Sequence, residues 1–125
     1  MRAISSLEAP AVIGTYSQAI KVGDTVYLSG QIPLDSATQV LCSEDISLQI
    51  KQVIKNMDAL CVAAGGSLAD VVKVTVYLMD LTHSSLVNEI MAVHFVTPYP
   101  ARVMIQVAGL PRGSQVEMDA IMVLR

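Results

Sequence analysis

The chain has no Trp, a single Phe, only two Cys, and charged side chains at just 15% of its 125 positions. Each shortage removes a class of function. Eight Lys and Arg are scattered singly against eleven Asp and Glu, for a net charge of −3. With so few aromatic rings for base stacking, that is not the electrostatic footprint of a nucleic-acid binder. Cys42 and Cys61 form no close pair and stand near no His cluster, so neither a zinc site nor a disulfide framework is indicated, and both are expected as free thiols. His83 and His94, the only histidines, have no Cys, Asp or second His at ligand spacing. No phosphate loop or cofactor fingerprint is present, so no metal, pyridoxal phosphate or nicotinamide cofactor is expected. No apolar run approaches the roughly 18 residues of a membrane-spanning helix. Met1 to Leu7 has no long apolar core of the secretory kind, so the expected location is the cytoplasm.

What is abundant is apolar surface. Hydrophobic residues make up 53% of the chain, more than an average soluble domain carries. A chain of this length builds one domain, spanning residues 1–125, and such a small domain has much surface for its volume. The surplus is expected to lie on a face shared between copies, making the protein a homo-oligomer.

Alternation and turn chemistry predict a hairpin from Tyr16–Val22 and Thr25–Gln31 around Gly23 and Asp24, with a possible short strand at Gln39–Leu41. Apolar residues at three- and four-residue steps predict a helix over Asp45–Ala64, with Glu44 and Asp45 at its positive end and Gly65 and Gly66 where it stops. Asp70–Met79 reads as a central strand, with Val72, Val74, Val76 and Leu78 on one face. A second helix is predicted over Ser85–Phe95, and Ser43, Ser84 and Ser85 are placed to cap the helices. Two further strands, Arg102–Ala108 and Gln115–Leu124, flank a turn at Pro111, Arg112 and Gly113. In the last strand Val116, Met118, Ala120, Met122 and Leu124 suit the helices, while Gln115, Glu117, Asp119, Ile121 and Val123 suit a subunit interface that holds a polar site. Two helices cannot cover both faces of five or six strands, so one face needs a partner.

Four segments carry a resemblance: Gly14–Ala19 (GTYSQA), Leu28–Leu34 (LSGQIPL), Val87–Glu89 (VNE), and Pro100–Met118 with its Pro-Ala-Arg, Val-Ala-Gly-Leu-Pro-Arg-Gly and Val-Glu-Met elements. Together they resemble the Rid family, the reactive intermediate/imine deaminases. The resemblance implies an α+β domain, a single mixed sheet of about six strands backed by two α-helices in a chorismate-mutase-like architecture. It also implies assembly as a homotrimer with sites in the clefts between subunits. The implied activity is cofactor-independent hydrolysis of 2-enamino or 2-imino acids to 2-keto acids and ammonia. Carried over to this sequence, the resemblance makes Arg102 the carboxylate-binding residue and Glu117 the residue that positions water and moves protons. Tyr16, Ser29, Gly30 and Asn88 would line the same cleft. Thr15 stands where many relatives have Pro, and Met104 where many have Cys, so only a backbone contact survives at position 104.

The chemistry fits those residue types. A guanidinium grips a carboxylate through two parallel hydrogen bonds, as a lone ammonium cannot. A carboxyl group can deliver water to an imine carbon and return the proton to the departing nitrogen. Burial would raise the proton affinity of Glu117, and a nearby Arg102 would lower it. Taken without the resemblance, Arg102 and Glu117 read equally as partners in surface or intersubunit ion pairs, Gly30 as a β-bulge, and Asn88 as a solvated helix residue. Other functions stay open: a small-carboxylate or keto-acid binder without turnover, a ribonuclease or translation inhibitor, which the acidic balance disfavours, and a chaperone with exposed apolar surface.

Overall fold

The computed structural model describes residues 1–125. Its strands are β1 (Arg2–Ile4), β2 (Ala19–Val22), β3 (Thr25–Gln31), β4 (Val71–Leu78), β5 (Ala101–Gln106) and β6 (Val116–Val123), and its helices are α1 (Ile46–Ala63) and α2 (Ser84–His94). The strands form one mixed sheet in the order β1-β2-β3-β6-β4-β5, antiparallel except for the β4–β5 pair. This is the expected α+β architecture. Strands β3 and β4 both run antiparallel to β6, so the chain crosses over twice, through α1 and then through α2, moving the same way across the sheet. Crossovers of one hand in one direction place both helices on one face.

That face holds the core. Val26, Leu28, Val74, Val76, Met118 and Met122 point into it from the sheet, and Ile50, Ile54, Met57 and Leu60 meet them from α1. Helix α1 begins where its N-cap Asp45 accepts a hydrogen bond from the Leu48 N–H, and it stops before Gly65, whose φ of +96° a side chain would resist. No helix is long and apolar enough to cross a membrane.

Several local expectations are corrected. Strand β1 comes from the N-terminal segment that sequence periodicity left without structure, because three residues are too few for alternation to register. Residues 39–41 form no strand, only one isolated bridge between Leu34 and Leu41. In β4 the alternation slips: Val71 pairs with Met122 and Lys73 with Ile121, so Val72 is the extra residue of a bulge. Val71 is buried in its stead and Val72 is exposed. The serines do not cap through their side chains. Ser43 accepts from the Asp45 N–H ahead of α1. Helix α2 grows directly out of the turn Leu81–His83, and Asp80 caps that turn by accepting from the Thr82 N–H, so Ser84 and Ser85 already lie inside the helix.

Candidate active site in two halves

Strand β5 is an edge strand, and its side chains alternate between the two sheet faces. Arg102 is level with the buried Val74 and Met104 with the buried Val76, so both point to the helix side of the sheet. There the Arg102 Nη1 donates to Asn88 Oδ1 on α2 at 2.7 Å and lies 3.7 Å from Met91 Sδ. A hollow of about 430 Å³ opens beside it, walled by Asn88, Met91, Ala92, Tyr99, Pro100 and Arg102. The backbone of the same strand adds a donor. Val107 N donates to Leu78 O across to β4. In a parallel ladder successive residues point their N–H groups to opposite sides, which turns those of Val103 and Ile105 toward β4 and leaves that of Met104 on the free edge. The strand thus offers two donors close together, a guanidinium held by Asn88 and an edge N–H two residues away, a pair suited to an anion.

Glu117 lies elsewhere. It sits between the buried Val116 and Met118 on β6, so its side chain projects from the sheet face that the helices leave bare. Its carboxyl is packed over Gly30, so closely that a methyl group built there would overlap Glu117 Oε2. Gly30 lies in a β-bulge, where Leu28 pairs with Ala120 and Gln31 with Met118. The bulge reading of this glycine holds, and the group that needs the space over it is Glu117. Half-burial, and after it the charge of Asp119 on the same strand, push the Glu117 carboxyl above its ordinary proton affinity. The expected lowering by Arg102 is absent within the chain.

The loop before β2 adjoins this second half. Gln18 is buried and ties the loop together, donating to Pro10 O at 2.8 Å and Ser6 O at 3.1 Å and accepting from Ser6 N at 2.8 Å. The Ser29 hydroxyl, expected in the ligand cleft, donates to Ser17 O at 2.5 Å, so its proton is used to dock the Tyr16 loop. Tyr16 itself is exposed, with Gly14 against its ring.

The chain thus assembles Arg102, Asn88 and Met104 in one place and Glu117, Gly30, Ser29 and the Tyr16 loop in another. It does not bring the two together. With β4 between them and three register positions of offset, the Cα atoms of Arg102 and Glu117 stand about 10 Å apart across the sheet and about 10 Å along it, with side chains on opposite faces. A small acid cannot touch both in one copy. Sequence reasoning missed Met91, Ala92 and Tyr99 as walls of the clamp hollow, because their spacing on and after α2 carries no chemical signal. Gln18 lay within a quoted motif, but its role as a loop anchor needed coordinates.

The fit between Gly30 and Glu117 gives a direct prediction. If Glu117 moves protons as the resemblance implies, Gly30→Ala should displace the carboxyl and lower turnover on the order of 10²-fold, with the fold retained, since a misplacement of about 1 Å has that effect on positioned catalytic groups. Steady-state rates with a thermal melt of the same sample check it. Unchanged turnover would mean that Glu117 need not sit where it does.

A single mixed sheet of six strands with both helices on one face defines an α+β protein, with Arg102 and Asn88 beside its free edge and the Glu117 carboxyl on its bare face. The family described as Endoribonuclease L-PSP matches residues 6–124, and the chain belongs to that family, the Rid family of the sequence resemblance. Human 2-iminobutanoate/2-iminopropanoate deaminase is 44% identical over 120 residues, covering 96% of this chain and 88% of the relative. The crystal structure of RidA from an Antarctic Psychrobacter is similar with a TM-score of 0.96 at 48% identity, covering 99% of this chain and 100% of that one. That of Escherichia coli TdcF with bound serine has a TM-score of 0.92 at 35% identity, covering 100% of both chains.

Proposed function

We propose that the protein is a hydrolytic deaminase that converts 2-imino and 2-enamino acids to 2-keto acids and ammonia, with no cofactor, in sites shared between subunits of a homotrimer. The observation that carries this reading is the division of the site: a guanidinium held by Asn88 beside the free edge and a half-buried carboxyl packed over Gly30 on the bare face, neither sufficient alone. A neighbouring copy that lays its β5 edge against this bare face brings the halves together. Exposed apolar residues support that contact, with Tyr27 50%, Val103 43% and Ile105 41% exposed on the bare face. Relatives named as imine deaminases support the reaction, and the relative solved with serine supports a small carboxylate-bearing ligand.

In the assembled site the substrate carboxylate lies on Arg102 and the Met104 N–H, which fixes C2 relative to Glu117. The Glu117 carboxyl first gives its proton to the carbon of an enamine, or to the nitrogen of an imine, and either becomes the iminium. The Glu117 carboxylate then removes a proton from water as the water oxygen bonds to C2, and the nitrogen takes up the electron pair of the C=N bond. The carbinolamine collapses as Glu117 gives that proton to nitrogen and the C–N bond breaks. The oxygen forms the C=O bond while its own proton passes to the freed Glu117 carboxylate, so ammonia and the keto acid leave and the acid is restored. Tyr16, docked through Ser17 and Ser29, closes the cleft, and Asn88 holds the guanidinium in its working orientation.

Ammonia release from freshly generated 2-aminocrotonate, with the spontaneous rate subtracted, tests the reading, and sedimentation at micromolar concentration tests the assembly. Catalysed release by a species three times the chain mass is expected. Saturable binding without turnover would make the protein a carboxylate binder, and a monomeric mass would overturn the shared site.

A further inference from the structure

The bare face of β6 carries a second carboxylate that the mechanism above does not use. Asp119 stands two residues beyond Glu117 on the same side of the strand, about 7 Å along it. Its Oδ2 accepts a 2.7 Å hydrogen bond from Tyr77 Oη. Tyr77 is the register partner of Glu117, whereas the partner of Asp119 is Thr75. The phenol therefore passes over its own partner and reaches diagonally to the next carboxylate, a reach open to a side chain of this length. Asp119 is pinned, and the hydroxyl of the register partner of Glu117 is taken.

We propose that Asp119, fixed by Tyr77, is a positioning residue for Glu117: a held negative charge that keeps a proton on offer at the Glu117 carboxyl while the cation of the clamp is in the site. The proposal rests on the deaminase reading and supplies something it requires. Bringing Arg102 of the partner subunit close to Glu117 favours the ionised carboxyl, and an acid–base group works best when its proton affinity lies near the working pH. A fixed like charge offsets the cation. The other groups facing Glu117 do not do this. From β4 these are Tyr77, Thr75 and, farther along, Lys73, which is level with Ile121, four residues beyond Glu117; from β3 they are Tyr27, Ser29 and Gly30; from β6 it is Ile121, while Gln115, just before the strand, donates its amide to Glu44 O. Asp119 is the one anion among them, and its charge follows burial as the cause of the raised Glu117 proton affinity. The Tyr77 phenol, pushed up to about 12 first by its bond to Asp119 and then by burial, remains a donor through neutral and mildly alkaline pH.

The test is the pH profile of kcat/KM for 2-aminocrotonate hydrolysis in the assembled protein, for wild type, Glu117→Gln, Asp119→Asn, Asp119→Glu and Tyr77→Phe. Removing the like charge should move the limb that depends on Glu117 to lower pH, by roughly half a unit to one unit in Asp119→Asn and by less in Tyr77→Phe, where the charge remains but is released. Asp119→Glu should return the limb to its wild-type position, which a merely structural contribution would not require. If the limb stays in place in Asp119→Asn while wild type shows a limb that Glu117→Gln abolishes, the proposal is overturned and the deaminase reading stands. If Glu117→Gln keeps wild-type turnover and profile, the deaminase roles themselves fail. Should Asp119→Asn not assemble, Tyr77→Phe decides: an unmoved limb there overturns the proposal.

Discussion

Glu117→Gln is expected to lower turnover by ~10² to 10⁴ while leaving the affinity for a keto-acid analogue close to that of the wild type. The substitution keeps the size of the side chain and its packing over Gly30, and it removes only the capacity to exchange a proton. A group that acts in the transition state and does not hold the ground state should show this separation of kcat from binding. Calorimetric titration with the analogue, run beside the hydrolysis assay, reads both quantities from one preparation. Because ionising a half-buried carboxyl is unfavourable, the amide should fold at least as readily as the acid at neutral pH. A loss of activity in this variant would therefore not trace to instability. Near-normal turnover would remove Glu117 from the chemistry.

Arg102→Ala should fail differently, weakening analogue binding and catalysis together. A charge-assisted hydrogen bond to a partly desolvated carboxylate contributes about 1.5–3 kcal/mol, so affinity should fall by roughly ten- to more than a hundredfold. Arg102→Lys should recover little of this. The ammonium can neither present two parallel donors nor reach Asn88 Oδ1 and a carboxylate at once, as the guanidinium does. Asn88→Ala should then give an intermediate loss, because the clamp keeps its charge and loses its orientation. Wild-type analogue affinity in Arg102→Ala would show that the carboxylate is held elsewhere.

The parts of the fold that the sequence made legible are those with many repeats of one period. Eight apolar positions at helical spacing placed α1 to within a residue at each end, and Asp45 and Gly65 mark its limits as their side-chain chemistry requires. In the same way, the alternation of β6 correctly separated a helix-facing side from a bare side. What stayed hidden was set by pairing partners distant in sequence. Nothing local says that Val71, and not Val72, enters the core; the bulge arises because β4 must stay in register with β6 past that point. Three-residue β1 exists because β2 offers it an edge.

The site divides along the same line. The residues that the resemblance names fall into two clusters, yet no local pattern shows that Arg102 and Glu117 point from opposite faces. That follows only from the lateral order β6-β4-β5 and the registers Val74 with Arg102 and Tyr77 with Glu117. Ser29 illustrates the remaining gap, because a hydroxyl that the resemblance assigns to the ligand cleft already donates to Ser17 O.

On the deaminase reading, each working site takes its clamp from one copy of the chain and its acid from another. Mixing subunits tests it without any assumption about rate-limiting steps. Arg102→Ala and Glu117→Gln chains, each inactive alone, are co-assembled in equal amounts and assayed for 2-aminocrotonate hydrolysis. In a cyclic trimer every mixed assembly has one intact site in three, and about three-quarters of random trimers are mixed, so activity should return to roughly a quarter of the wild-type level. Activity no greater than that of the two separate variants would contradict the account, because it would place Arg102 and Glu117 of one working site in the same chain or remove one of them from the site altogether.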